Sequence, residues 1–341
     1  MKGGCAMEMI SGLSNWKLTV QKEYDHVEIL RAITCDKKAA LPDELWGLPV
    51  TMLGDHALAP NATTISTGTK INSKGAPCEI CEIQITCGPE GEWDNRNLQD
   101  LTLPEALTDV KDYALYGCRD LKTMRFHDRV DRWGGGCLMN CRNLDTFFIT
   151  RVSEHQGEAL AFLCDEIHKE LFVTIKEGEN EYQIIFPEYV EDFEENYAAH
   201  HFDYTIYGGG HPYHHIFKAK QLVLMDYDML WEKYLKEDHE ADGALRLAWT
   251  RLRWPVELSE KAEHQYWSYL KGRKEKALFY QLSQKDTKGL VLMMDGLEVD
   301  DDLIHKACEQ ARLDHNTEAL ALLLERQHKE ESTGFDKDFD L

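Results

Sequence analysis

The sequence has no apolar run approaching the roughly 20 residues that a membrane-crossing helix needs, so no such helix is expected. It is also short of positive charge: 38 Lys and Arg stand against 61 Asp and Glu, a formal net charge of -23. A field of that sign repels phosphate backbones and anionic lipid, so no nucleic-acid or membrane partner is expected, and a basic protein surface would be attracted. The opening stretch MKGGCAMEMISGLSNW holds no apolar segment of signal-peptide length. Its ten cysteines are therefore expected as reduced thiols of a cytoplasmic protein. There is no GK[ST] phosphate loop, no HExxH pair, no nucleophile elbow and no dinucleotide fingerprint. No catalytic residue, metal ligand or cofactor is assigned, and the expectation is a non-enzyme.

What is present is repetition. ALYGCRDLKTMRF (114–126) returns 23 residues later as CLMNCRNLDTFFI, so Cys118 recurs as Cys141, Leu121 as Leu144, Met124 as Phe147 and Phe126 as Ile149. Four segments fit apolar-x-x-apolar-x-apolar: Ile80/Ile83/Ile85, Leu98/Leu101/Leu103, Leu121/Met124/Phe126 and Leu144/Phe147/Ile149. Each predicts a short strand with an inward apolar set, and one such strand buries its face only by stacking on the next. Gly117 permits a tight bend, and Cys118 and Cys141 are expected as small apolar fillers rather than chemistry.

LQDLTLPEALTDVKDYALYGC, through Pro104, Val110, Ala114 and Cys118, resembles the BspA-like leucine-rich repeat family. LPDELWGLPVTMLGDHAL resembles its N-terminal unit, so the resemblance spans 41–150, with 60–79 as an inserted loop. WGGG at 133–136 departs from the unit and predicts a distorted turn.

Past Ile149 the 23-residue phase stops. Leu160, Phe162, Leu163 and Ile167 predict a helix face. LFVTIK and YQIIFP predict one hairpin, and FDYTIYGGGHPYHHIFK a second that turns at Gly208–Gly210. Glu188, Glu191, Asp192, Glu194 and Glu195 precede His200, His201, His211, His214 and His215. Carboxylates with histidines are the donor set of a metal-dependent enzyme or metal-binding module, which makes 188–215 the rival functional reading, although no ligand spacing is clean. The CEIC pair, Cys78 and Cys81, with Cys87 nearby, lacks the second pair of a zinc site.

From about Tyr227 the periodicity is helical. KALFYQLSQKDTKGLVLMM and KACEQARLDHNTEALALLL align at an offset of 30 residues, with Asp286 and Asn316 placed as helix N-caps. ADGALRLAWTRL (241–252) repeats the second-helix pattern. ACEQARLDHNTEALALLLE resembles the ankyrin repeat, without its TPLH opening. The combination resembles leucine-rich repeat proteins of gut-dwelling clostridia.

The expected class is α+β, with a leucine-rich repeat β-solenoid at 1–150, a small α/β module at 151–228, ankyrin-like helical repeats at 229–328 and a disordered acidic tail at 329–341. Both repeat types present long surfaces, so a protein-binding scaffold is the first expectation. Alternation along the strands puts Glu82, Gln84, Asp100, Thr102, Thr123, Arg125, Thr146 and Phe148 on the outer sheet face as the partner-binding residues.

Overall fold

A computed structural model describes residues 14–61, 65, 67–71, 77–152, 158–196, 201–237, 239 and 241–335. The chain divides into two units, Met1–Val223 and Leu224–Leu341.

In the first unit, β1 (Trp16–Lys22) and β2 (Val27–Thr34) form an antiparallel hairpin that opens the array. After β3 (Lys38–Ala40), β4 (Glu44–Leu45) folds back on β5 (Leu48–Leu53). The turn between them holds Trp46 and Gly47 at φ 54° and 72°, the paired left-handed conformation that suits a two-residue hairpin. An insertion then carries β6 (Gly68–Ile71) and β7 (Pro77–Ile85). The repeating coils follow: β8 (Asp100–Thr102), β9 (Asp109–Val110), β10 (Thr123–His127), β11 (Arg132–Trp133) and β12 (Thr146–Thr150).

Each coil lays one strand in each of two sheets. β8, β10 and β12 run parallel in one, while β5, β9 and β11 run parallel in the other. Between the sheets Leu98, Leu101, Leu103, Leu121, Met124, Phe126, Leu144, Phe147 and Ile149 are buried as expected. Burial of one such side chain is worth about 1.5–3 kcal/mol.

One expected coil is corrected. The Ile80/Ile83/Ile85 segment is β7, which lies antiparallel to β1, with Leu18 opposite Ile83, in the second sheet. The strand that stacks on β8 is β3, with Lys38, Ala39 and Ala40 opposite Asp100, Leu101 and Thr102. The apolar pattern records a strand with an apolar face and carries no information on its direction or partner.

The returning turns interlock. Leu115 N donates to Cys137 O at 2.9 Å and Gly117 N to Met139 O at 3.0 Å. The Cys118 thiol donates to Leu58 O (3.5 Å) and the Cys141 thiol to Leu115 O (3.1 Å), each one coil back. Gly117 and its successor Asn140 both hold positive φ, 77° and 64°. The WGGG turn is not distorted: Gly134 N donates to Val110 O at 2.7 Å and Cys137 N to Gly134 O at 3.2 Å. A β-carbon on Gly134 would stand 2.4 Å from the Asp112 amide nitrogen, so the close passage of successive coils requires glycine there.

Beyond Thr150 the solenoid continues. After α1 (Ala159–Glu166), β13 (Leu171–Glu177) adds to β12 in parallel and turns into β14 (Asn180–Phe186), the expected first hairpin. Residues 171–186 thus extend the repeat sheet, whose strand order is β14-β13-β12-β10-β8-β3. The second hairpin is corrected: β16 (His201–Tyr207) pairs with β15 (Val190–Asn196), and His211–His214 forms the short helix α2. Gly208–Gly210 is no hairpin turn. A β-carbon on Gly210 would stand 2.1 Å from Pro187 O, so this glycine serves a close backbone approach.

The second unit is helical: α3 (Leu224–Met229), α4 (Trp231–Tyr234), α5 (Ala241–Arg253), α6 (Glu260–Lys271), α7 (Lys274–Gln284), α8 (Thr287–Leu297), α9 (Asp301–Leu313) and α10 (Thr317–Phe335). The 30-residue offset maps α7 onto α9 and α8 onto α10. α6, α8 and α10 pack in one layer. α5 belongs with α7 and α9, because Trp249 Nε1 donates to Gln281 Oε1 at 2.7 Å and Glu275 pairs with Lys306 at 3.8 Å. The 241–252 segment is therefore a first-layer helix and not the second-layer helix that its apolar pattern suggested. Asn316 caps α10 through Ala319 N at 3.1 Å, and Asp286 occupies the N-cap position of α8 with its carboxylate engaged by Arg253 at 2.7 Å. Met293 and Met294 are core. Helix α10 runs on to Phe335, past the start expected for the acidic tail, and 336–341 lie outside the described residues.

Candidate partner-binding face

The register of the parallel sheet sets two rows across its outer face. One runs Lys38, Asp100, Thr123, Thr146, Phe172, Ile185; the other runs Ala40, Thr102, Arg125, Phe148, Thr174, Gln183, with Thr174 and Ile185 buried at the β13–β14 end. Six of the eight expected face residues, Asp100, Thr102, Thr123, Arg125, Thr146 and Phe148, thus stand together on three adjacent strands. Glu82 and Gln84 do not. They lie on β7 in the other sheet, exposed, with Gln84 Nε2 donating to Glu90 Oε1 at 3.1 Å. Sequence reasoning missed Lys38, Ala40, Phe172 and Thr174 in the same rows. The cross-strand register that brings them in is a tertiary property, although alternation within LFVTIK already separated the half-buried Phe172 from the buried Val173 and Ile175.

Arg125 organises the centre of the face. Its Nε and Nη2 donate to the Asp100 carboxylate oxygens at 3.3 and 3.1 Å, and its Cζ lies 3.8 Å from the centroid of the Phe148 ring. Three neighbouring strands are tied through one side chain. The carboxylate fixes the guanidinium, and the guanidinium covers the ring, so Phe148 is half-buried and not a bare aromatic. What the face offers is a planar cation with an aromatic beneath it, framed by threonine hydroxyls. With Nε and one Nη2 hydrogen directed to Asp100, the remaining guanidinium N–H groups are the donors left to hydrogen-bond acceptors of a protein surface.

On the opposite sheet, a groove of about 1120 Å³ lies against Trp133 and Phe162, whose rings stack at 5.0 Å and 13°. Phe162, expected on the buried helix face, is thus turned to the groove wall. Asp109 holds Arg132 at its rim, and Glu158 accepts from Lys220 at 2.6 Å. Most rim charges are internally paired, which leaves little directed chemistry.

Among the described residues of the His-rich segment, the histidine side chains are engaged with backbone carbonyls and aromatic rings. His214 is buried, with Nδ1 2.9 Å from Cys164 O and Nε2 2.9 Å from Pro187 O, and burial pushes its pKa down to about 4. His211 and His215 stack on each other at 4.1 Å. Tyr189 is ringed by His168, His211, His214 and His215. Glu191 accepts from the Tyr204 hydroxyl. Among the described residues no three His, Cys, Asp or Glu side chains are grouped as metal ligands. His200 lies outside the described residues, as do the side chains of Glu194, Glu195 and His201. Cys78 is buried on β7, Cys81 half-buried and Cys87 exposed. No helix among the described residues is long and apolar enough to cross a membrane.

Residues 90–178 match the BspA type leucine-rich repeat region family in six copies. The match covers the coils from β8 to β13, including the strand beyond the expected boundary at 150. No curated protein and no solved structure matches the chain.

Proposed function

We propose that this chain is a non-enzymatic protein-binding scaffold, intracellular, that engages a partner protein along the outer face of the parallel sheet. Leucine-rich repeat arrays in general present such extended surfaces to other proteins. The observation that carries the reading is the Asp100–Arg125–Phe148 assembly, an interstrand clamp across three adjacent strands of the face. Arginine and aromatic side chains dominate binding energy where they are central and well packed. The helical pairs of the second unit are read as ankyrin-like, with Ala307 and Ala311 of α9 as their small first-helix residues and the leucines of α10 as their apolar run.

The test is a pull-down from the native organism with the parent protein and with the Arg125→Ala/Phe148→Ala variant, after matched thermal melts. Loss of a partner by the variant supports the reading; an unchanged catch moves the surface elsewhere. Metal analysis of the purified protein addresses the rival. Stoichiometric zinc or iron would favour a metal-dependent module at 188–215.

A further inference from the structure

The ribbon β15–β16 stands outside both large sheets, and its two strands pair with each other and with no other strand among the described residues. Its base is held firmly: Tyr189 is buried and its N–H donates to His168 O at 2.9 Å, while Gly210 abuts Pro187 and Glu188. Above that base the ribbon carries large apolar side chains on both faces. Val190 and Tyr207 oppose each other at 58% and 54% exposure, and Phe193 and Tyr204 oppose each other on the other face at 60% and 55%. A two-stranded ribbon alone is marginally stable in water, and open strand edges invite a further strand.

The charge on the ribbon specifies what that strand carries. No Lys or Arg occurs between Lys176 and Lys218, while the two strands include Glu191, Asp192, Glu194, Glu195 and Asp203. Two copies of this ribbon would bring carboxylates against carboxylates, which opposes self-association. We propose that the β15–β16 ribbon is a second docking surface, distinct from the parallel-sheet face, which takes up an extended partner segment of alternating basic and apolar residues by strand addition. The main chain of the segment pairs with an open edge, its apolar side chains cover Val190 and Tyr207 or Phe193 and Tyr204, and its cations meet the carboxylates.

Three synthetic peptides test this on the full chain by fluorescence anisotropy: alternating lysine and valine, alternating glutamate and valine, and alternating lysine and glycine. The lysine–valine peptide is expected to bind about tenfold or more tighter than either of the others. Phe193→Ser/Tyr204→Ser should weaken it by a similar factor. Glu191→Lys/Asp192→Lys should reverse the preference toward the glutamate–valine peptide, a gain that an unfolded ribbon would not give. Equal binding of the lysine–valine and lysine–glycine peptides, or retention of the parent preference by the charge-reversed variant, would overturn the proposal. So would a dimer in sedimentation equilibrium that Phe193→Ser disperses, because the ribbon would then belong to a second copy of this chain.

Discussion

The Arg251 guanidinium grips both carboxylate oxygens of Asp228, Nε to Oδ1 at 2.8 Å and Nη2 to Oδ2 at 2.9 Å, with both side chains almost wholly buried. The Tyr266 hydroxyl donates to the same Oδ1 at 2.8 Å, and Arg251 also reaches Trp254 O and Val256 O. One carboxylate thereby ties α3 to α5 and α6. Removing either partner strands a buried charge, so Arg251→Met or Asp228→Ala should each cost about 3–5 kcal/mol in denaturant unfolding. Tyr266→Phe should cost about 1 kcal/mol. Joint replacement of the pair by apolar residues should cost less than the two single changes combined.

Core truncations probe the two units separately. Leu121 and Leu323 are fully buried, in the solenoid and in α10. Leu121→Ala and Leu323→Ala should each lower stability by about 2–5 kcal/mol. Leu320, the 30-residue counterpart of the buried Leu290, is only half-buried and should tolerate alanine better. Melts of all three variants check the register.

His214 sets a pH dependence. Its folded pKa of about 4 lies below the ordinary 6.5, because burial opposes the charge, and the neighbouring His168 and His215 add to the depression. The unfolded chain therefore binds the proton first. The contribution is fully present above pH 6.5, is lost as pH falls toward 4, and amounts to roughly 3 kcal/mol as an upper bound. His214→Gln should flatten the stability profile in that window. A profile unchanged by the substitution would remove His214 from the account.

The thiols should react in order of exposure. Burial raises the Cys137 and Cys141 pKa values to about 12 and pushes Cys118 and Cys164 well up, while Cys87 is exposed. Among the cysteines of the described residues Cys87 should modify first in the native protein, and these four buried thiols only on unfolding. Time-resolved thiol modification with mass spectrometry reads this directly.

These outcomes rest on features of unequal visibility in the sequence. The coils at Leu98, Leu121 and Leu144 were legible because a constant 23-residue step keeps an inward apolar set in phase. The coil of β3 was hidden, since Lys38–Ala40 offers a single inward alanine and an insertion separates it from β8. β13 was legible as a strand, but α1 lengthens its step, so its place in the sheet was not. The antiparallel β7 copied the coil pattern because alternation records a face and not a partner. On the candidate face, strand parity found Arg125 and Phe148. The stacking of one over the other depends on cross-strand register, which a single strand does not encode.

The most direct test of the partner-binding face is site-specific photo-crosslinking. A photoreactive residue is placed in turn at Thr123, Thr146 and Glu82, and covalent adducts are identified after exposure to native extract. One common partner is expected to be captured from Thr123 and Thr146, neighbours in one row of the parallel sheet, and not from Glu82 in the other sheet. Capture of that partner from Glu82 alone would contradict this expectation.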